Sequence, residues 1–203
     1  MKITWLDIET TYSVNEDKKS DADPYTGNML VSVGYICGDE QNYLCFYHKD
    51  QEPTEKARDT LQSVLDGTDL LVGHNIKFDL KWLRACGFFY TGKVHDTMIA
   101  EYILHGGEKV PLSLAKCCER YALPQKKTGL IEEYMKKNVS FESIPWPIVK
   151  EYGEADVQIT KELYEAQLSN MPNSLKNTND LMNEFCDVLC DVENSGLQIS
   201  LKN

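Results

Sequence analysis

Residues 1–10 constrain this chain more than any other stretch. Ile3 and Trp5, with Thr4 and Leu6 beside them, form a β-branched and aromatic run, the composition of a short buried strand. The run ends on two acids, Asp7 and Glu9. A strand sends alternate side chains to one face, so the two carboxylates point the same way, about 7 Å apart along the backbone. Side by side they repel, and a fold keeps such a pair most readily when a cation sits between them. The plain alternative is a pair of acids that face water, and the rest of the chain has to decide between the two.

Downstream the pattern alternates. Residues 12–28 are polar and turn-rich, a loop long enough to fold over a neighbouring site. Residues 29–37 and 42–47 read as two strands of a hairpin turning at Gly38-Asp39-Glu40. Residues 53–66 place Ala57, Leu61, Val64 and Leu65 at helical spacing before a stop at Gly67. Residues 69–73 make a short buried strand that breaks at His74-Asn75, and a helix carries Phe78, Trp82, Leu83 and Cys86. Residues 93–95 supply a fifth strand, and helices follow over 96–104 and 112–121. A long helix starts at Pro147, a favoured first-turn position, with the stripe Ile148, Tyr152, Ala155, Ile159, Leu163, Ala166. The last helix, 174–193, places Leu175, Met182, Phe185, Leu189 and Val192 on one face. Strands alternating with helices after a three-strand start predict an α/β domain with a mixed sheet.

At 203 residues the chain can bury one full core with a short appendage. No run approaches the roughly 18 apolar residues of a membrane span, and Asp7 interrupts the one apolar N-terminal segment before it resembles a leader. The expectation is a cytosolic protein. Seven cysteines lack any Cys-x-x-Cys spacing, which predicts reduced, buried thiols. With 21 lysines and arginines against 32 acids the net charge is −11, which argues against tight duplex binding through a basic surface. A site that takes up two divalent cations regains about +4 locally, so a phosphate substrate stays admissible. Gln125-Lys126-Lys127-Thr128 and Met135-Lys136-Lys137 are local concentrations of positive charge, either solvated helix faces or contacts to a phosphate backbone.

Two further acids stand out. Asp79 falls in the first turn of a helix that follows a buried strand, where the helix dipole alone favours an acid, and Asn75 sits where an N-cap belongs. Tyr152 and Asp156 are four residues apart and share a helix face. An aspartate on the edge of an apolar stripe is costly unless it is paired or ligates a cation. Gly153 between them costs about 1 kcal/mol relative to Ala in a helix interior, a hint that something approaches this backbone closely. Asp96, followed by Thr97, reads as an N-cap, and His74 and His95 read as structural.

Taken in order, Asp7-x-Glu9, Asn75-x-x-x-Asp79 and Tyr152-x-x-x-Asp156 resemble the three exonuclease motifs of the DEDDy 3′–5′ exonucleases. This branch of the DnaQ-like superfamily includes the proofreading domain of family A, polymerase I-like DNA polymerases. Leu6-Asp7-Ile8-Glu9-Thr10, Gly73-His74-Asn75, the run from His95-Asp96-Thr97-Met98 to Leu104, and Leu112-Ser113-Leu114-Ala115 resemble that domain's landmarks, over about residues 2–168. The resemblance implies an RNase H-like fold, with a mixed five-stranded sheet flanked by helices. It also implies a two-metal 3′–5′ exonuclease that releases nucleoside 5′-monophosphates. Asp7, Glu9, Asp79 and Asp156 correspond to the four acidic metal ligands, and Tyr152 to the active-site tyrosine. Oxygen ligands suit two Mg²⁺ ions, with Mn²⁺ as a substitute. Tyr152 is expected to orient a water by hydrogen bonding, because a phenol of pKa about 10 is a poor base at neutral pH. Thr10 and Asn75 are expected to contact the terminal nucleotide.

Residues 187–199 look like the entry into a family A polymerase domain, and the sequence ends at Asn203. The expected organisation is an exonuclease domain over 1–172 and a helical segment over 173–203 that leads to a polymerase partner, as an excised domain or one half of a split bacterial or phage enzyme. On that view the last helix exposes an apolar stripe. The expected substrate is a DNA 3′ end, single-stranded or frayed. The alternatives are an RNase D-like exonuclease acting on RNA, and an inactive domain that binds 3′ ends or serves as scaffold.

Overall fold

The computed structural model describes residues 1–14, 20–124 and 129–196. Strand β1 (Ile3–Thr10) precedes a two-residue pair, β2 (Ser13–Val14) and β3 (Ser20–Asp21), and then the hairpin β4 (Leu30–Cys37) and β5 (Glu40–Cys45). Helix α1 (Ala57–Asp66), strand β6 (Leu70–Gly73), α2 (Ile76–Ala85), β7 (Lys93–Asp96), α3 (Thr97–Leu104) and α4 (Leu114–Arg120) follow. The chain continues through α5 (Gly129–Lys136), α6 (Trp146–Asn170) and α7 (Asn173–Ser195). The main sheet has five strands in the order β5-β4-β1-β6-β7. The β1–β4 and β4–β5 pairs are antiparallel, whereas β1–β6 and β6–β7 are parallel. The mixed sheet expected from the sequence is therefore present, with β1 at its centre.

Both faces of β1 are covered, and its alternation sorts the chemistry. Leu6 and Ile8 enter a cluster with Leu61, Leu80, Leu83 and Cys186, from α1, α2 and α7. Trp5 packs with Val157 and Tyr164 of α6 on the opposite face. Asp7 and Glu9 share Trp5's parity, so the strand period turns them toward α6. Parallel pairing with β6 involves Ile3, Thr4 and Trp5 alone. Beyond Trp5, β1 outruns β6 on that side, which leaves room for the first turn of α2.

Two local expectations need correction. Helix α1 begins at Ala57 rather than near Pro53, because Lys56 takes a left-handed backbone conformation (φ 55°) that an α-helix cannot contain. The buried face of α6 is Val149, Gly153, Asp156, Val157, Ile159, Thr160, Leu163, Tyr164 and Gln167. That face is rotated from the predicted stripe and carries polar side chains into the interior, where Gln167 Nε2 donates to the Thr97 carbonyl at 2.9 Å and to Glu101 Oε2 at 2.8 Å. Hydropathy periodicity discards such residues.

Helix α7 buries Asn179, Asn183, Cys186 and Cys190, and it exposes Phe185 and Val192 of its apolar face, in line with the exposed stripe expected above. Leu181, Phe185, Val188 and Val192 are exposed, each by more than half. The inner face lies against α2, α3 and β7. Lys77 of α2 meets Glu193 at 2.7 Å, and Arg84 meets Asp187 at 2.6 Å. All seven cysteines are free. Among the described residues no helix is long and apolar enough to cross a membrane. Residues 125–128 and 197–199, invoked above as a basic cluster and as part of a polymerase-like entry, lie outside the described residues.

Candidate active site

The acids of β1 meet α6. Carboxylate oxygens of Asp7, Glu9 and Asp156 all lie within 4.8 Å of one another. Glu9 and Asp156 are buried and Asp7 is half-buried. Register explains the first two, since Asp7 and Glu9 oppose Gly34 and Ser32 of β4 on the face that α6 covers. Asp156 joins them because it occupies the middle of the inner face of α6 and not its edge.

Asp79 reaches the cluster from α2. Its carboxylate accepts the backbone N–H of Ile8, the residue between the two β1 acids. Burial is the main cause that pushes this carboxyl well above the usual carboxylate range, and the negative charge of Asp7 pushes it further. Asp79 Oδ1 is buried without a hydrogen-bond partner. Asp79 is not one of the three acids within 4.8 Å of one another, but it stands close enough to feel the charge of Asp7. An orphaned carboxylate oxygen beside three clustered acids is costly for the protein by itself and suits a hard divalent cation. The residues present thus fit a Mg²⁺-type site.

Tyr152 lies one helical turn before Asp156, and the two side chains are hydrogen-bonded. Burial first, then the charges of Asp156, Glu9 and Asp7, drives the phenol far above its ordinary pKa. It therefore stays protonated at neutral pH and acts as a donor, held from behind by the Phe141 ring at 5.9 Å.

The junction that carries Asp79 is built by Asp96. Its Oδ1 accepts the N–H of Met98 at 2.8 Å, the α3 cap expected from the sequence, and also the N–H of Asn75 at 2.9 Å. Oδ2 accepts the N–H of Ile76 at 3.1 Å. One carboxylate thus caps two helices. Asn75 itself is left-handed (φ 62°) and its side chain makes no capping bond. That side chain is exposed, while Thr10 is buried at the end of β1. His74 donates from Nε2 to the Leu112 carbonyl at 2.9 Å and pairs through Nδ1 with Thr97 Oγ1 at 2.8 Å, and so ties α2, α3 and the approach to α4 together.

Sequence reasoning missed two contributors. No local signal could reveal that Asp96 would cap a helix 20 residues earlier. Tyr43 of β5, whose phenol feels Glu9, Asp7 and Asp156, did leave a trace in Gly153, whose absent side chain marks where Tyr43 lies.

The profile of the family described as 3′–5′ exonuclease matches residues 23–172. DNA polymerase I of Borreliella burgdorferi is 27% identical over 205 residues, an alignment that takes in 98% of this chain and 21% of that protein. The chain therefore spans about a fifth of that relative's length. Among solved structures, Brucella melitensis NrnC with bound Mg²⁺ superposes with a TM-score of 0.68 at 14% identity, covering 99% of this chain and 90% of that one. Trypanosoma brucei RNase D superposes with a TM-score of 0.61 at 16% identity, over 83% and 58% of the two chains. At these identities the two structures speak to the fold alone.

Proposed function

The chain belongs to the 3′–5′ exonuclease domain family of polymerase I-like, family A DNA polymerases and has an RNase H-like fold, and on that premise we propose that it trims DNA 3′ ends by metal-dependent phosphodiester hydrolysis. The observation that carries the proposal is the meeting of Asp7, Glu9 and Asp156 within 4.8 Å, with the orphaned Asp79 oxygen beside them. These four carboxylates would hold two Mg²⁺ ions, with Mn²⁺ as a substitute. When bound, such ions supply activation of a water and neutralise charge on the scissile phosphate.

The chain's own groups do the rest. Tyr152, kept protonated by its acidic neighbours, donates a hydrogen bond that orients the attacking water or the phosphate. Asn75, exposed at the start of α2, and Thr10, at the end of β1, would contact the terminal nucleotide. Water's oxygen joins phosphorus as the bond to the preceding sugar's O3′ breaks. The shortened strand keeps a 3′ hydroxyl and a nucleoside 5′-monophosphate leaves. A net charge of −11 favours a single-stranded or frayed end over extended duplex contact. The relatives' greater length and the exposed apolar face of α7 support a polymerase partner that follows the domain at 1–172, in a bacterial or phage-infected cytosol.

The test is digestion of a 5′-labelled single-stranded DNA with Mg²⁺ or with chelator, by wild type and by Asp7→Ala, beside an RNA of the same sequence. The expected result is a Mg²⁺-dependent ladder shortening from the 3′ end of DNA and at least about 10²-fold slower in Asp7→Ala. RNA degraded much faster than DNA would assign the RNase D-like alternative instead. Intact DNA and RNA with folded, metal-supplied protein would leave a binding or scaffold domain.

A further inference from the structure

We infer that Tyr43 is a positioning residue for the carboxylate cluster, its half-buried ring and its hydroxyl fixing how closely α6 carries Asp156 and Tyr152 to β1. The inference rests on the metal-site reading above and extends it to a residue that belongs to none of the three acidic motifs. Across the sheet, Asp7 of β1 opposes Gly34 of β4, and Gly34 opposes Tyr43 of β5. The three stand in one row on the face that α6 covers. Gly34 has no side chain to fill the middle of that row. A Cβ there would lie 3.1 Å from two ring carbons of Tyr43 and 3.0 Å from Val157 Cγ2 of α6. On the helix side, a Cβ on Gly153 would overlap both the ring and the hydroxyl of Tyr43. Two glycines, one in the sheet and one in the helix, thus form the slot for one tyrosine. This accounts for a glycine in the interior of a 25-residue helix, where it costs stability.

The hydroxyl links the two layers. It is hydrogen-bonded to Ser32 Oγ at 2.8 Å and donates to the carbonyl of Val149, in the first turns of α6, at 3.3 Å. Ser32 is fully buried and is the cross-strand partner of Glu9. Val149 lies three residues before Tyr152. One phenol therefore joins the strand position opposite Glu9 to the helical turn that projects Tyr152, and the Trp146 ring, 5.5 Å away, closes its far side. Burial and then the charge of Glu9 hold the phenol protonated, so the hydroxyl remains available to donate. Tyr43 acts through the acids and touches no reacting atom.

Two variants perturb the slot in opposite ways. Tyr43→Phe keeps the ring and deletes both hydrogen bonds, whereas Gly153→Ala keeps the hydroxyl and displaces the ring. Mn²⁺ affinity, measured by calorimetry or by paramagnetic resonance of free Mn²⁺ on the whole chain, is the primary readout. Thermal shift by Mg²⁺ and the Mg²⁺ dependence of DNA trimming accompany it. The expectation is a Mn²⁺ Kd raised about 10-fold or more in both variants, with trimming by Tyr43→Phe recovering toward wild type at high metal. Tyr90→Phe is the control. Tyr90 donates to the Lys93 carbonyl at 2.6 Å, at the opposite end of the strand from Asp96, and loss of that hydroxyl should leave Mn²⁺ affinity unchanged. Unchanged Mn²⁺ affinity in folded Tyr43→Phe and Gly153→Ala overturns the role of Tyr43 alone. Wild type that binds no Mn²⁺ overturns the metal-site reading and this inference with it.

Discussion

Burial acts on Asp79 and His95 in opposite chemical senses, because each is pushed toward its neutral form. Asp79 is raised, and His95, packed edge-on against Tyr164 at 4.8 Å, is lowered to about 4. The histidine gives a clean pH prediction. An unfolded chain protonates it near pH 6.5 and the folded chain near 4, so its stabilising contribution is complete above pH 6.5 and shrinks as pH falls toward 4. Between pH 7 and pH 5 the loss should be about 2 kcal/mol. Urea unfolding of wild type and His95→Phe at the two pH values measures it, and the variant should lose less stability on acidification. Equal losses would mean that His95 protonates without cost in the folded state. At this scale the sequence was informative where chemistry is local. Asp7 and Glu9 share a face because any strand alternates, and Asp156 and Tyr152 share one because any helix repeats every 3.6 residues. The field that holds Tyr152 protonated needed the three elements to be brought together.

Elements meet at the α2–α3 junction, and its register passes through α7. Asn183 of α7 accepts the backbone N–H of Asp96 at 2.7 Å and donates to the Asn179 carbonyl at 2.8 Å, both in buried surroundings. The end of the edge strand β7 is thereby satisfied by a side chain instead of another strand. Asn183→Ala should leave the Asp96 N–H buried without an acceptor and cost about 1–3 kcal/mol, read as a lower urea midpoint at unchanged slope. A loss below about 0.5 kcal/mol would mean that water replaces the amide. The sequence predicted both helices but not this bond, since periodicity picks out the apolar face of Phe185 and Val192 and is silent on the buried asparagines. A buried asparagine has no hydropathy signature, and its place depends on a donor found 87 residues away.

At the scale of the whole molecule, the outer face of α7 stands apart from the packing that holds the helix. Its ion pairs to α2 through Lys77 and Arg84 are partly exposed and contribute little each, so Cys186 and Cys190 in the main core anchor the helix. Leu181, Phe185, Val188 and Val192 make no comparable contribution to the isolated chain. Phe185→Glu should therefore move unfolding stability by no more than about 0.5 kcal/mol, and a larger loss would show that this face packs within the monomer. The sequence by itself determined the strand and helix order, the mixed sheet, and the candidate acids Asp7, Glu9, Asp79 and Asp156 in their order, because strand alternation, helix repeat and turn chemistry are properties of neighbouring residues. Tertiary structure alone decided the rotation of α6 that carries Asp156 inward, the shared capping by Asp96, and the slot that Gly34 and Gly153 open for Tyr43. Each of those depends on atoms far apart in the chain competing for the same buried volume or the same hydrogen bond, and that competition exists only once the layers have packed.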